Sequence, residues 1–266
     1  MYDFDLSGKV ILLTGATGLL GSVYAEHLAK NNASLILCDI DLKKTQELAI
    51  KIVDRYKNNV IGLFCDVGDK ASINECIEEG YKKFGRITSV VNNAAATGEF
   101  LMKKGELFTD FADFNIDMWD ATIKTNLTGS FLVAQAVEKY LIENGGGSVI
   151  NVSSTYGVVG PDHRIYEDLP FNSTVAYATS KAGVHGLTRW LSTYWGKHNI
   201  RVNTLVPGGV LNNHDELFVS RYSERTPLHR MANKEDMPGM IIYLLSDMSQ
   251  YCTGQQYFVD GGWTAM

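Results

Sequence analysis

The chain has 266 residues, 45% hydrophobic and 20% charged, which is the composition of an ordinary globular protein with a sizeable core. A net charge of −6 argues against nucleic acid or an anionic membrane surface as the main partner, since both call for a basic face. No window approaches the ~18 uninterrupted apolar residues of a membrane span, and the acidic start "MYDFDLSGK" lacks a basic-then-apolar leader, so a cytoplasmic protein is expected.

The first element is the apolar run "VILLT" (10–14), followed by glycines at Gly15, Gly18 and Gly21 and then a helical stretch. A glycine turn between a strand and a helix lets backbone approach a pyrophosphate, and the helix start supplies free N–H groups. It is no P-loop, since no G-K-[ST] follows. A purely structural turn would read the same way. The next strand, "SLILCD" (34–39), ends on Asp39, about 20 residues on. A carboxylate there accepts from ribose hydroxyls and repels a 2′-phosphate, which predicts NAD over NADP. Asp39 or Asp41 also serves as the cap of the following helix (43–57). A third strand, "VIGLFCD" (60–66), brings Asp66 to the crevice edge, either facing adenine or closing a turn before a helix over 71–85.

Further strands follow at "ITSVVNNA" (87–94), "GSVINVSS" (147–154), "IRVNTLVP" (200–207) and "QYFVDGG" (256–262). Nearly continuous apolar strands separated by helices imply a parallel sheet covered on both faces, a doubly wound α/β fold. No linker or repeat divides the chain, so one domain spanning 1–266 is expected. Three segments exceed what the strand–helix alternation needs: 97–118, 160–176 and 209–230. They should rim the crevice at the carboxyl ends of the strands. The second offers His163, Arg164 and Tyr166 as polar substrate contacts, with Arg164 and His163 suited to a carboxylate or phosphate; a solvated loop is the alternative.

In "STVAYATSKAGVHGL", Tyr177 and Lys181 lie four apart on one helix face. A neighbouring ammonium favours phenolate and lowers the phenol pKa, making Tyr177 a candidate acid/base. The strand over 147–154 ends on Ser153 and Ser154, and a hydroxyl there is placed to orient the same oxygen. The four cysteines, Cys38, Cys65, Cys76 and Cys252, form no C-x-x-C pair, and no Cys/His cluster has ligand spacing. No metal is expected, and His185 and His198 read as structural.

These motifs, in this order with "NNAA" (92–95), "KTNLTGSF" (124–131) and "VDGG" (259–262), resemble the single-domain short-chain dehydrogenase/reductase family along nearly the whole chain. The resemblance implies a Rossmann fold with a seven-stranded parallel sheet and helices on both faces. It implies Tyr177 as acid/base, Lys181 on the nicotinamide ribose, Ser154 orienting substrate, and Asn126 holding a water of a proton relay. Cofactor contacts are implied for Gly15, Thr17, Gly18, Leu19, Leu20 and Gly21, and for Asp39, Ile40, Asp66 and Val67. Asn93, Ala94, Ala95, Pro207, Gly208, Val210 and Asn212 complete that set. Leu19 stands where the family has glycine, so Gly18 and Leu19 should form the turn together. Ala95 also replaces a glycine, and Asn212 a threonine.

The loop around 156–168 is similar to that of dehydrogenases in flagellin-glycan and nonulosonic-acid pathways, and the closing "FVDGGWTAM" to the family's oligomer-contact tail. An NAD-dependent oxidoreductase interconverting a secondary alcohol and a ketone on a sugar, sugar phosphate or other polar hydroxylated substrate in surface-glycan metabolism, acting as a homodimer or homotetramer, is the resulting expectation. Rivals are a 3-oxoacyl thioester reductase, a sugar-nucleotide dehydratase or epimerase, and a cofactor-sensing protein without turnover.

Overall fold

A computed structural model describes residues 4–97 and 110–266. Seven strands run parallel in the order β3-β2-β1-β4-β5-β6-β7: β1 Val10–Thr14, β2 Ser34–Asp39, β3 Val60–Phe64, β4 Ser89–Asn92, β5 Gly147–Val152, β6 Ile200–Pro207 and β7 Gln256–Val259. Side chains alternate along β1. Ile11 and Leu13 enter one apolar cluster, Val10 and Leu12 the other. Helices therefore have to cover both faces. The first cluster takes in α1 (Leu19–Lys30), α2 (Leu42–Tyr56) and α8 (Pro238–Leu245). The second takes in α3 (Lys70–Phe84), α5 (Gly129–Glu143) and α6 (Val175–Trp195). Two shorter helices, α4 (Ile116–Ile123) and α7 (Glu216–Arg225), lie outside this covering set.

Local chemistry sets the helix ends. Asp41 caps α2 by accepting from the Lys44 N–H, so Asp41, and not Asp39, fills the cap role there. Asp69 caps α3, which stops at Gly85 with φ +70°. Thr174 caps α6 through the Tyr177 N–H at 3.2 Å. Several strands stop two or three residues short of the apolar runs. Asp66, Asn93–Ala95 and Ser153–Ser154 leave the ladder, and their backbone turns into the loops at its carboxyl end. The strand order reverses between β1 and β4, and that reversal opens the crevice where ligands bind in such sheets.

The segment 97–118 falls partly outside the described residues; its last residues form the start of α4, not loop. The 160–174 segment does not trail into solvent. It makes a short turn over His163–Tyr166 and packs with α7 and the C-terminal Trp263 as a third apolar cluster. Trp263, expected in an oligomer-contact tail, is 1% exposed within its own chain and stacks on Tyr222 with centroids 4.2 Å apart.

Candidate active site

The loops after β1 and β4 meet at the strand reversal and are laced together. Thr14 Oγ1 accepts from the N–H groups of Asn93 and Ala94, and Asn93 Nδ2 donates to the carbonyls of Thr14 and Gly15. Two glycines are forced by this closeness. A Cβ on Gly15 would stand 2.7 Å from Ala94 Cα, and one on Gly21 would stand 2.0 Å from the Gly15 carbonyl oxygen. Gly18 differs. Its added Cβ would meet only that oxygen, at an ordinary 3.4 Å. Gly18 is the N-cap of α1, with Leu19 the first helical residue. No side chain caps this end and no acidic residue stands in its first turn. The positive end of α1 is left to an anion, so the residues present fit the pyrophosphate of a dinucleotide.

Asp39 faces this loop. Its Oδ2 accepts from the Thr17 N–H at 2.9 Å and hydroxyl at 2.8 Å, and Oδ1 from the Ile40 N–H at 2.8 Å. The Thr17 hydroxyl is thus spent on Asp39. A carboxylate has about four acceptor positions, so about one remains for a ribose hydroxyl. Lys44, a cation near the expected ribose position, is paired with Asp41 at 2.8 Å. Asp66 Oδ1 accepts from the Gly68 N–H at 2.8 Å, closing a turn. Val67 is buried in the core, where a Cβ on Gly129 would lie 2.9 Å from its Cγ2. Ala95 is half-buried just past the laced loop.

At the other end of the crevice, α6 carries Tyr177 and Lys181 to the ends of β4 and β5. The Ser154 hydroxyl lies near enough to that of Tyr177 to draw its pKa down. Lys181 Nζ donates to the Val152 carbonyl at 2.8 Å and lies 5.8 Å from the Tyr177 ring centroid. Burial pushes Tyr177 up, against the opposing pull of Ser154, and holds Lys181 down at about 8.

The other serine, Ser153, serves the scaffold. It donates to the Lys181 carbonyl at 2.9 Å and pairs with His185 Nε2 at 2.9 Å. Asn126 sits in a π-helical turn, Lys124–Thr128, of the kind that marks functional sites. Its side chain is committed. Oδ1 accepts from the Ala96 N–H at 2.7 Å, and Nδ2 donates to Ser180 Oγ at 3.0 Å and the Ala96 carbonyl at 3.3 Å. It positions the neighbouring backbone at Ala96.

After β6, Pro207 leads into Gly208, whose N–H reaches the Val259 carbonyl at 2.9 Å. Val210 pairs with Ala232, and the Asn212 N–H donates to His214 Nδ1 at 3.1 Å. Leu20 packs on the first apolar cluster.

The expected substrate residues divide. Arg164 is exposed and pairs through Nε and Nη2 with Asp162, at 2.8 and 2.7 Å. His163 is exposed and bonds Asn172 at 3.0 Å. Tyr166 turns inward, and its hydroxyl meets that of Tyr156 at 2.8 Å. Tyr156, Phe218, Tyr222 and Trp263 were not anticipated from sequence. Nothing in their spacing ties four distant aromatics together. The sequence likewise gave no sign that Cys38, Cys65 and Cys76 bring their sulfurs within 4.8 Å of one another in the core.

The family model described as Enoyl-(Acyl carrier protein) reductase matches residues 15–264. The chain is a member of the short-chain dehydrogenase/reductase family. It is 30% identical to Post-translational flagellin modification protein A of Campylobacter coli, over 97% of this chain and 99% of that one. It is 32% identical to D-threitol dehydrogenase of Mycolicibacterium smegmatis, over 99% and 95%. A solved gluconate 5-dehydrogenase from Burkholderia cenocepacia, in complex with NADP and tartrate, superposes with a TM-score of 0.86 at 29% identity, covering 99% of this chain and 98% of that chain. As a member of this family the protein is an NAD(P)-dependent oxidoreductase acting on hydroxyl and keto groups. Among the described residues no helix is long and apolar enough to cross a membrane.

Proposed function

We propose that this enzyme interconverts a secondary alcohol and a ketone on a sugar, sugar phosphate or other polar hydroxylated molecule of surface-glycan metabolism, using NAD(H). The observation that carries the reading is the meeting of Ser154, Tyr177 and Lys181 at the carboxyl edge of β5, where Lys181 Nζ lies 5.8 Å from the Tyr177 ring and reaches the Val152 carbonyl and the Ser154 hydroxyl draws the Tyr177 pKa down. When bound, the cofactor accepts or supplies a hydride. In oxidation Tyr177 Oη takes the proton of the substrate hydroxyl as its carbon gives up hydride. In reduction Tyr177 returns that proton to the carbonyl oxygen. Ser154 donates to the reacting oxygen and fixes its direction, and the charge on Lys181 offsets the developing phenolate. Asn126 holds the backbone at Ala96 and the hydroxyl of Ser180, which supports the start of α6.

The relatives that act on polyols and keto sugars support the substrate class, and the flagellin-modifying relative supports the glycan setting. Asp39 supports NAD, because a 2′-phosphate would meet its carboxylate while Lys44 is held by Asp41. Trp190 and Tyr194, exposed and stacked 4.7 Å apart on α6, suit a homodimer or homotetramer of a cytoplasmic enzyme.

The test is turnover of aldoses, polyols and sugar phosphates with NAD and NADP, run with wild type and Tyr177→Phe. Tyr177→Phe should keep cofactor affinity and lose about 10³-fold or more in kcat. Activity confined to acyl thioesters would sink the sugar reading, and full activity of Tyr177→Phe would remove the proton-transfer role.

A further inference from the structure

The insertion between Ser154 and Tyr177 does one thing that its sequence does not announce. It folds Tyr166 back onto Tyr156, with the two hydroxyls 2.8 Å apart. Two phenols carry two O–H donors, and the bond between them uses one. One donor and several lone pairs remain for a third group.

The pair is anchored at Ser154, the residue assigned to the reacting oxygen. Tyr156 follows Ser154 by two residues in the tight turn Thr155–Gly157, and its N–H donates to Ser154 Oγ at 3.3 Å. Gly157 closes that turn against α6, where a Cβ would lie 2.7 Å from the Lys181 carbonyl carbon. The rings are held as firmly as the hydroxyls. Tyr166 packs on Phe218 at 5.3 Å and on the edge of Phe171 at 6.0 Å, and Tyr156 meets the edge of Trp263 at 6.5 Å. Burial raises both phenols well above their ordinary value, and Tyr177 and Tyr222 oppose their ionisation further. They stay neutral O–H groups at any working pH. The nearby cations are balanced where they stand. Asp162 takes Arg164 and Arg225, and Asp168 faces Arg221. A wall of rings with fixed neutral hydroxyls suits a carbohydrate, whose C–H faces lie on rings and whose hydroxyls exchange hydrogen bonds.

We propose that the Tyr156–Tyr166 hydroxyl pair binds a second hydroxyl of the substrate, on the carbon next to the reacting one, making the enzyme selective for vicinal diols over isolated secondary alcohols. This rests on the assignment of proton transfer to Tyr177. The pair determines specificity and takes no part in proton transfer.

The experiment takes a polyol or aldose that the wild type oxidises, together with its deoxy analogue lacking the neighbouring hydroxyl. Wild type, Tyr156→Phe and Tyr166→Phe are compared on both. Phenylalanine keeps each ring in the aromatic cluster, and thermal unfolding confirms that each variant is folded. Each variant should lose about 10- to 100-fold in kcat/KM on the polyol, mainly through KM, and stay within about twofold of wild type on the deoxy analogue. Equal losses on both substrates would mean a packing role and overturn the proposal, while turnover lost with Tyr177→Phe alone would leave the parent reading intact. No oxidation of any hydroxylated compound by wild type would overturn both.

Discussion

At the scale of single residues, burial rather than charge pairing governs the titrating groups. Tyr177 is raised and Lys181 lowered to about 8, both through loss of water. Oxidation needs the phenolate and reduction the phenol, so the oxidation rate should climb with pH through the range where Tyr177 ionises, while reduction falls. Rate profiles in both directions check this, and a flat oxidation profile would contradict it. His185 shows the same physics without catalysis. It is buried, its Nε2 pairs with Ser153, its Nδ1 has no partner, and its pKa is held down at about 4. In the unfolded chain it titrates near the ordinary 6.5. Between those values the unfolded state binds more protons, so stability falls as pH drops from about 6.5 towards 4 and is level above. The loss attributable to this group is on the order of 2–3 kcal/mol. His185→Gln should flatten that acid limb in urea unfolding curves measured at pH 7 and pH 4.5.

At the scale of elements, the glycine turn separates two roles that its spacing runs together. Gly21 lies where a Cβ would strike the Gly15 carbonyl at 2.0 Å, whereas Gly18 has room. Gly21→Ala should cost about 3 kcal/mol or more by forcing the turn apart. Gly18→Ala should cost no more than about 1 kcal/mol of stability, yet weaken NAD binding tenfold or more by filling the helix-end cradle, by an order-of-magnitude estimate. Thermal melts beside cofactor titrations separate the two. The insertion has its own hinge point in Asp162, which holds Arg164 at 2.7 Å and faces Arg225 at 3.7 Å while capping the His163–Tyr166 turn. Arg225 in turn lies 4.9 Å over the Trp263 ring. Asp162→Ala should therefore raise substrate KM about tenfold and leave cofactor Kd unchanged, since the cradle lies at the other end of the crevice. A matching loss of cofactor affinity would show that the two ends are not independent.

At the scale of the whole molecule, the parallel sheet does the assembling. Reversal of strand order between β1 and β4 brings together loops that start some 80 residues apart, and Thr14 and Asn93 lace them. Next to this junction, Asp39 ends β2 and latches the glycine turn through Thr17. Asp39→Asn keeps an oxygen for that latch but removes the charge. It should raise the NADP-to-NAD ratio of kcat/KM about tenfold or more, which initial-rate measurements with both cofactors will show.

The same scale divides what was legible from what was not. Alternating apolar runs and a cap at Asp39 or Asp41 are local signals, so the α/β class and the bounds of α2 and α3 could be read within a residue or two. The Tyr177–Lys181 pair was legible because four residues on a helix fix a shared face. Strand ends were read too long, because nothing local says where backbone leaves a ladder for a loop contact.

The sequence by itself thus determined the doubly wound class, the glycine turn, Asp39 at the end of β2 and the shared helix face of Tyr177 and Lys181. Each is a short-range pattern, or a strand end that the fold must place at one edge of the sheet. Only the tertiary structure decided that Arg164 faces solvent with Asp162, that Asn126 is committed to Ala96 and Ser180, and that Tyr166 reaches Tyr156. It also placed Trp263 inside the chain. Apart from the Arg164–Asp162 pair, two residues apart, these outcomes depend on partners ten or more residues away. Side-chain hydrogen bonds and ring contacts are satisfied there by whatever packing brings near, which no periodicity records.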